Sequence, residues 1–228
     1  MILERHADLQ PSIAVVGVDG EDRIAYALFF IIALGEMVYA MGNAFTGQPF
    51  AVERLLALAI GFAGTVALWW CYFQRAEGLG ADAAVSAGDA GAVGLWGTWT
   101  LTLIVLALVA IAVGDELAIA HPDDDATLGF LILAFGGPAL FLLAQLVFHR
   151  SALGYVPRSR PLGLAALAIL AVATAPLTLI AGIAASAVVL VAVAIADTVG
   201  ERVLPADGPF ARPAGMPEEG LEPPTRGP

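Results

Sequence analysis

Residues 24–43, IAYALFFIIALGEMVYAMGN, decide how this chain is read. The run is apolar and carries one carboxylate, Glu36, well inside it. About 20 apolar residues, at roughly 1.5 Å of helical rise each, match the thickness of a bilayer's hydrocarbon core. A charge placed there costs several kcal/mol, so it requires a partner, a proton or a wet cavity.

The rest of the chain repeats the pattern. Of its 228 residues 59% are hydrophobic, against roughly 45–50% in a soluble domain. Such a chain is built to sit in lipid rather than to bury one core from water. The single cysteine, Cys71, excludes an internal disulfide. The net charge of −11 comes from ends and loops: Asp8, Asp19, Glu21 and Asp22 before the first span, Asp123–Asp125 in one loop, and Glu218, Glu219 and Glu222 near the end. That balance excludes nucleic acid as a partner, because phosphate binding needs clustered Lys and Arg. The first 23 residues do not read as a cleavable signal, since the apolar piece 13–18 is short and flanked by acids.

Taken in order, residues 1–23 form a polar lead-in. Apolar spans follow at about 24–43, 55–73, 95–119 and 127–148. The fourth is interrupted in its middle by Gly136-Gly137-Pro138, which marks a kink or a broken helix lining a cavity. After a basic loop comes an apolar stretch, 162–199. As one helix it would be about 57 Å long, roughly twice the hydrocarbon core. It must fold back, and the breakers between Pro176 and Gly182 mark the turn, giving spans at 162–176 and 182–199. The proline-rich tail 201–228 is expected to be disordered. The expected fold is therefore an all-α, polytopic transmembrane helix bundle of about six spans.

All ten basic residues are arginines. With the N-terminus inside, nine of them fall in inner segments and only Arg54 in an outer loop, which predicts an N-in/C-in topology in the cell membrane. Trp69, Trp70, Trp96 and Trp99 then all lie at the inner interface, where an aromatic belt is expected.

Three carboxylates are candidates for handling a proton or cation: Glu36 in the first span, and Asp115 and Glu116 near the outer end of the third. Their contexts are alike, ALGE against AVGDE, and the preceding glycine lets a helix or ligand approach closely. Facing carboxylates in a low dielectric would share protons or bind a cation. The competing structural reading has Glu36 fixing helix packing, Asp115 and Glu116 in the outer headgroups, and the Asp123–Asp125 run as a solvated turn. His121 and His149 fall at span ends, and no His-Cys-Asp grouping has metal-ligand spacing. Cys71 and Ser186 lack a base at a recognisable spacing, so the chain does not read as an enzyme. Neither a metal nor a cofactor is expected. Ala57, Gly61 and Thr65, and likewise Gly182 and Ser186, recur every four residues, the spacing of close helix contacts.

Several strings together resemble the bacterial low temperature requirement A family. They are LFFIIALGE at 28–36, Trp69-Trp70 with Tyr72-Phe73, the Ala112-Val113-Gly114 acid segment before His121-Pro122, and GPAL at 137–140 leading to Phe148. The likeness covers about residues 22–200 and corresponds to the C-terminal half of a typical member. It implies a polytopic membrane protein, with Glu36 matching the family's Gly-Glu motif. The usual N-terminal half is missing, no histidine stands between 95 and 108, and Gln145 replaces a customary glycine-histidine pair. The expected function is transport-like, centred on Glu36, with a proton or small ion as cargo. The alternative is a structural or accessory membrane protein. The expected surroundings are the lipid bilayer, with a second copy of the chain or partner helices in place of the missing half.

Overall fold

The computed structural model describes residues 20–79, 90–153 and 157–203. Within them lie six helices: α1 (Gly20–Thr46), α2 (Val52–Leu79), α3 (Ala90–Ala120), α4 (Leu128–Leu153), α5 (Ser159–Thr174) and α6 (Leu179–Val203). The expected all-helical bundle is what forms. Five helices contain apolar stretches of 21 to 23 residues, long enough to cross a membrane, while α5 is a shorter apolar helix of 16. Most of the lead-in, most of the tail and the middle of the 74–94 connection lie outside the described residues.

The helices overrun the apolar windows that announced them. α2 begins at Val52 and continues to Leu79, and α3 begins at Ala90. Hydropathy marks only the part of a helix that sits in hydrocarbon, whereas backbone hydrogen bonding continues into the interface. The fold-back in the last apolar stretch occupies residues 175–178. Pro176 cannot continue α5, having no N–H to donate. The last turn closes with Ala175 N–H donating to Val172 O at 3.4 Å and Leu177 N–H to Thr174 O at 2.9 Å.

α3 and α4 share the largest interface in the bundle, α2 packs mainly on α6, α1 lies on α3 and α2, and α5 lies on α6 and α4. Phe30, Leu34, Met37 and Met41 make the buried stripe of α1 at helical spacing. Phe30 stacks on Tyr72 of α2 with ring centroids 3.9 Å apart. Thr127 starts α4, its Oγ1 accepting from Phe130 N–H at 3.3 Å, as an N-cap hydroxyl does.

Gly136-Gly137-Pro138 does not break α4, which runs helical through Pro138. The reason for the glycines is contact. A Cβ at Gly137 would stand 2.7 Å from Ile111 Cγ1, 3.0 Å from Ile111 N and 3.1 Å from Ala107 O, so α4 meets the backbone of α3 there. Gly114 on α3 makes the reciprocal approach, with Ala134 N at 3.3 Å from its missing Cβ. Lipid tails are as apolar as these side chains, so such backbone-close packing, rather than hydrophobic expulsion, holds membrane helices together. The adjacent Gly136 has only Ile132 Cγ2 at 3.9 Å, an ordinary contact.

This neighbouring pair gives a test. Gly137→Ala should destabilise the protein by about 1–3 kcal/mol through overpacking against backbone that cannot yield. Gly136→Ala should be neutral or stabilising by up to about 1 kcal/mol from helix propensity. Thermal unfolding of both variants in detergent, followed by circular dichroism, measures the contrast.

Candidate functional site

The bundle carries polar groups at two levels. Near the end formed by the α1–α2, α3–α4 and α5–α6 connections, Asp115 of α3 is 6% exposed. Its carboxyl lies over Gly61 of α2, where a Cβ would come within 3.3 Å of Cγ and Oδ2 and 2.8 Å of Met41 Sδ on α1. The missing side chain of Gly61 is therefore the space the carboxyl uses. One residue earlier, Gly114 draws α4 against α3, so four helices converge here. Asp115 makes no hydrogen bond or ion pair among the described residues.

The three carboxylates singled out in the sequence are not gathered into one site. α1 and α3 are neighbours, but Asp115 points inward while Glu36 and Glu116 are both exposed on the outside of the bundle. Glu36 lies well away from the Phe30–Leu34–Met37–Met41 stripe, and Glu116 is turned about 100° around α3 from Asp115. Of the three, only Asp115 has protein on its sides.

Above Asp115, the α1–α2 and α3–α4 connections enclose an open cleft of about 180 Å³, lined by Glu53, Arg54, His121, Asp123 and Asp124 among others. His121 Nδ1 lies 3.6 Å from Asp124 Oδ2, and Arg54 Nη1 donates to Pro49 O at 2.6 Å. Among the described residues no group of three or more His, Cys, Asp or Glu side chains is arranged to hold a metal ion.

The opposite end is tied by polar contacts between α2, α4, α5 and α6. Arg160 Nη2 stands 2.9 Å from Asp197 Oδ2, with the two side chains 0% and 1% exposed. Ser159 Oγ donates to Asp197 Oδ1 at 2.5 Å. Arg160 Nε and Nη1 have no hydrogen-bond partner among the described residues, so the pair is held by charge more than by directed bonds. Beside it, Thr198 Oγ1 accepts from Gln74 Nε2 at 2.8 Å and from Trp70 Nε1 at 3.1 Å, joining α6 to α2. Gln145 Nε2 donates to Cys71 O at 3.4 Å, joining α4 to α2. His149 Nδ1 contacts Gln145 O at 2.5 Å; a carbonyl only accepts, so Nδ1 carries the hydrogen.

Sequence reasoning passed over this group. Arg160 was counted with the basic loop, His149 as an ordinary interfacial histidine, and Asp197 not at all. The signal was present: Arg160 stands 15 residues before the 175–178 turn and Asp197 19 after it, so folding the hairpin brings them within about one helical turn of each other.

A family model described as Bacterial low temperature requirement A protein (LtrA) matches residues 25–195, three quarters of the chain. The chain belongs to the LtrA family. The resemblance read from residues 22–200 is thereby established, and this LtrA-family chain is a membrane-spanning helical protein. It is also 30% identical over 145 residues to an uncharacterized protein, RA0937, of Rhizobium meliloti (strain 1021). That match takes in 62% of the present chain but 35% of the relative, so the LtrA-family region here spans about a third of the longer protein. No solved structure matches the chain.

The Arg160–Asp197 pair makes a sharp prediction. Removing one member of a buried pair costs about 3–5 kcal/mol, because the survivor is left charged and uncompensated, whereas replacing both by apolar residues is often neutral. Arg160→Met and Asp197→Leu should each lower the unfolding midpoint strongly. The double variant should recover most of the loss, and a double-mutant cycle from unfolding in detergent reads the coupling.

Proposed function

We propose that this LtrA-family protein handles a proton or small cation within the membrane, and that Asp115 is the group that loads it. The observation carrying this reading is a carboxyl buried inside a membrane-spanning helix with no hydrogen-bonding or ionic partner in the described protein. A carboxylate so placed is costly unless a proton or a cation balances it. The role first sought at Glu36 thus moves to Asp115, since exposure leaves Glu36 without protein walls around a cargo.

The surroundings support the same direction. Glu53, Asp123 and Asp124 give the cleft above Asp115 a negative mouth, and fields of that sign raise the local concentration of cations. Asp115 lies five residues, about 7.5 Å of helix, from Ala120 at the cleft. Gly61 lets the carboxyl reach α2 with no side chain in its way. At the far end the buried Arg160–Asp197 pair and the Gln74–Thr198–Trp70 contacts close the bundle, an arrangement suited to access from one side at a time. With the arginines on the closed side, that side faces the cytoplasm and the cell membrane is the location proposed. The rival reading is a purely structural protein, which the absorption of so many polar groups into helix contacts favours.

Two measurements separate the readings. In purified protein reconstituted in lipid, a hydrophobic carbodiimide, which attacks protonated carboxyls, should modify Asp115, with labelling that falls as pH rises from 5 to 9 and slows on adding a bound cation. In vesicles loaded with a pH-sensitive dye or a cation indicator, Asp115→Asn should abolish flux at unchanged protein content, while Glu36→Gln retains it. An Asp115 that never labels while the loop acids do, together with flux indifferent to Asp115→Asn, would establish the structural reading instead.

A further inference from the structure

The packing around Asp115 restricts what its carboxyl can hold. The point that a Cβ on Gly61 would occupy lies 3.3 Å from Asp115 Cγ and Oδ2 and 2.8 Å from Met41 Sδ. Even one added carbon therefore does not fit there without displacing the thioether. One residue earlier, Gly114 sets the backbone of α3 against that of α4, with Ala134 N 3.3 Å from its missing Cβ. Along α3, the residues one turn from Asp115, Ile111, Ala118 and Ile119, are buried and apolar. The cleft above is lined down to Ala120 and does not take in Asp115.

Oxygen donors are as scarce as space. A calcium ion takes roughly six to eight oxygens and magnesium a near-octahedral set, and membrane sites for sodium draw on the carbonyls of unwound helices. Here α1, α2 and α3 run unbroken past Asp115, which commits their carbonyls to helix hydrogen bonds. Thr65 Oγ1, one turn from Gly61, donates to Gly61 O at 3.1 Å. Pro138 withdraws the usual donor from the carbonyl of Ala134, the residue that packs on Gly114. One carboxylate and one carbonyl still leave a metal ion far short. Met41 Sδ is a soft donor, matched poorly to hard cations. Nor does another charge balance Asp115 among the described residues. Glu36 and Glu116 face outward, the charged groups of α2 and of the α3–α4 connection stand at the cleft, and those of α4 and α6 lie at the opposite end.

We propose that the cargo of Asp115 is a proton, and that the site excludes metal ions by close packing and by shortage of oxygen ligands. The inference rests on the reading of Asp115 given above and narrows its cargo. A proton needs one lone pair and no added volume. On loading, a proton taken from water forms an O–H bond on the carboxylate and leaves a neutral acid, the form that apolar surroundings favour. On release that bond breaks, its electron pair stays on the carboxylate oxygen, and the proton returns to water.

The test is carbodiimide labelling of the purified full chain in lipid, read at Asp115 by mass spectrometry across a range of pH. Ionic strength is held with choline chloride, which is then replaced in turn by sodium, potassium, magnesium or calcium chloride. Labelling of Asp115 should fall with rising pH along the same curve in every salt. The acids of the α3–α4 connection, read in the same samples, report any direct effect of a salt on the reagent. Labelling of Asp115 that drops several-fold in one metal salt but not in choline, with the loop acids unmoved, assigns a metal cargo. That result overturns this inference while leaving Asp115 as the loading site. An Asp115 that labels in no salt, while the loop acids do, overturns the reading beneath it and this inference together.

Discussion

Inside a bilayer there is no water to satisfy a polar side chain, so each such group must be partnered by protein or removed from the hydrocarbon. The arrangement of this bundle follows from that constraint. Asp197 lies on a helix whose other residues are nearly all apolar, and it is buried because the hairpin returns Arg160 and Ser159 to it. Trp70 and Gln74 sit on the end of α2 and find a hydroxyl, Thr198, one residue farther along α6. Asp115 is an inward-facing carboxylate without such a partner among the described residues, and the proposed function rests on it.

Close packing and polar pairing divide the work between the two ends. In the middle and toward the acidic loops, contact is made by absence: Gly114 and Gly137 let α3 and α4 touch backbone to backbone, Gly61 opens a recess for a carboxyl, and Gly182 accommodates Phe130, whose Cε1 would stand 2.6 Å from an added Cβ. Toward the tryptophans, hydrogen bonds and one ion pair join such contacts, Gly163 among them, where an added Cβ would stand 2.8 Å from Val193 Cγ2. The first kind of contact is short-ranged and tolerates no added volume. The second tolerates volume and fails when one charge is removed.

The spans and the hairpin were legible in the sequence because length and hydropathy suffice for them: a stretch twice the bilayer's thickness has to turn, and Pro176 marks where. The facing of Glu36 was not legible. Amphipathic periodicity identifies a buried side only when the other side is polar, and α1 is apolar nearly all round, so one carboxylate could be assigned to either face. The Gly136-Gly137-Pro138 string left a kink and a broken helix both open, and only the break is excluded, for a related reason. Glycine and proline signal a break in water, but in a membrane helix they also serve close approach, and nothing local distinguishes the two uses. Asp197 was legible and overlooked: a single acid in a long apolar run, within about one helical turn of an arginine across the hairpin, announces a pair.

The three-aspartate connection between α3 and α4 reads as a solvated, expendable turn, yet its backbone is committed. Ala126 N–H donates to Leu177 O, and Asp124 O and Pro122 O accept from Leu179 and Ile180 N–H, at 3.0 to 3.1 Å, clasping this loop to the α5–α6 turn. The acidic side chains can change without disturbing the clasp, while the chain beneath them is not free to be lengthened. An epitope or reporter inserted between Pro122 and Ala126 would unhook two hairpins at once, although point substitutions of the same aspartates leave the clasp intact. For anyone tagging this protein to map its sidedness, the connection that looks most dispensable is the one to leave uncut.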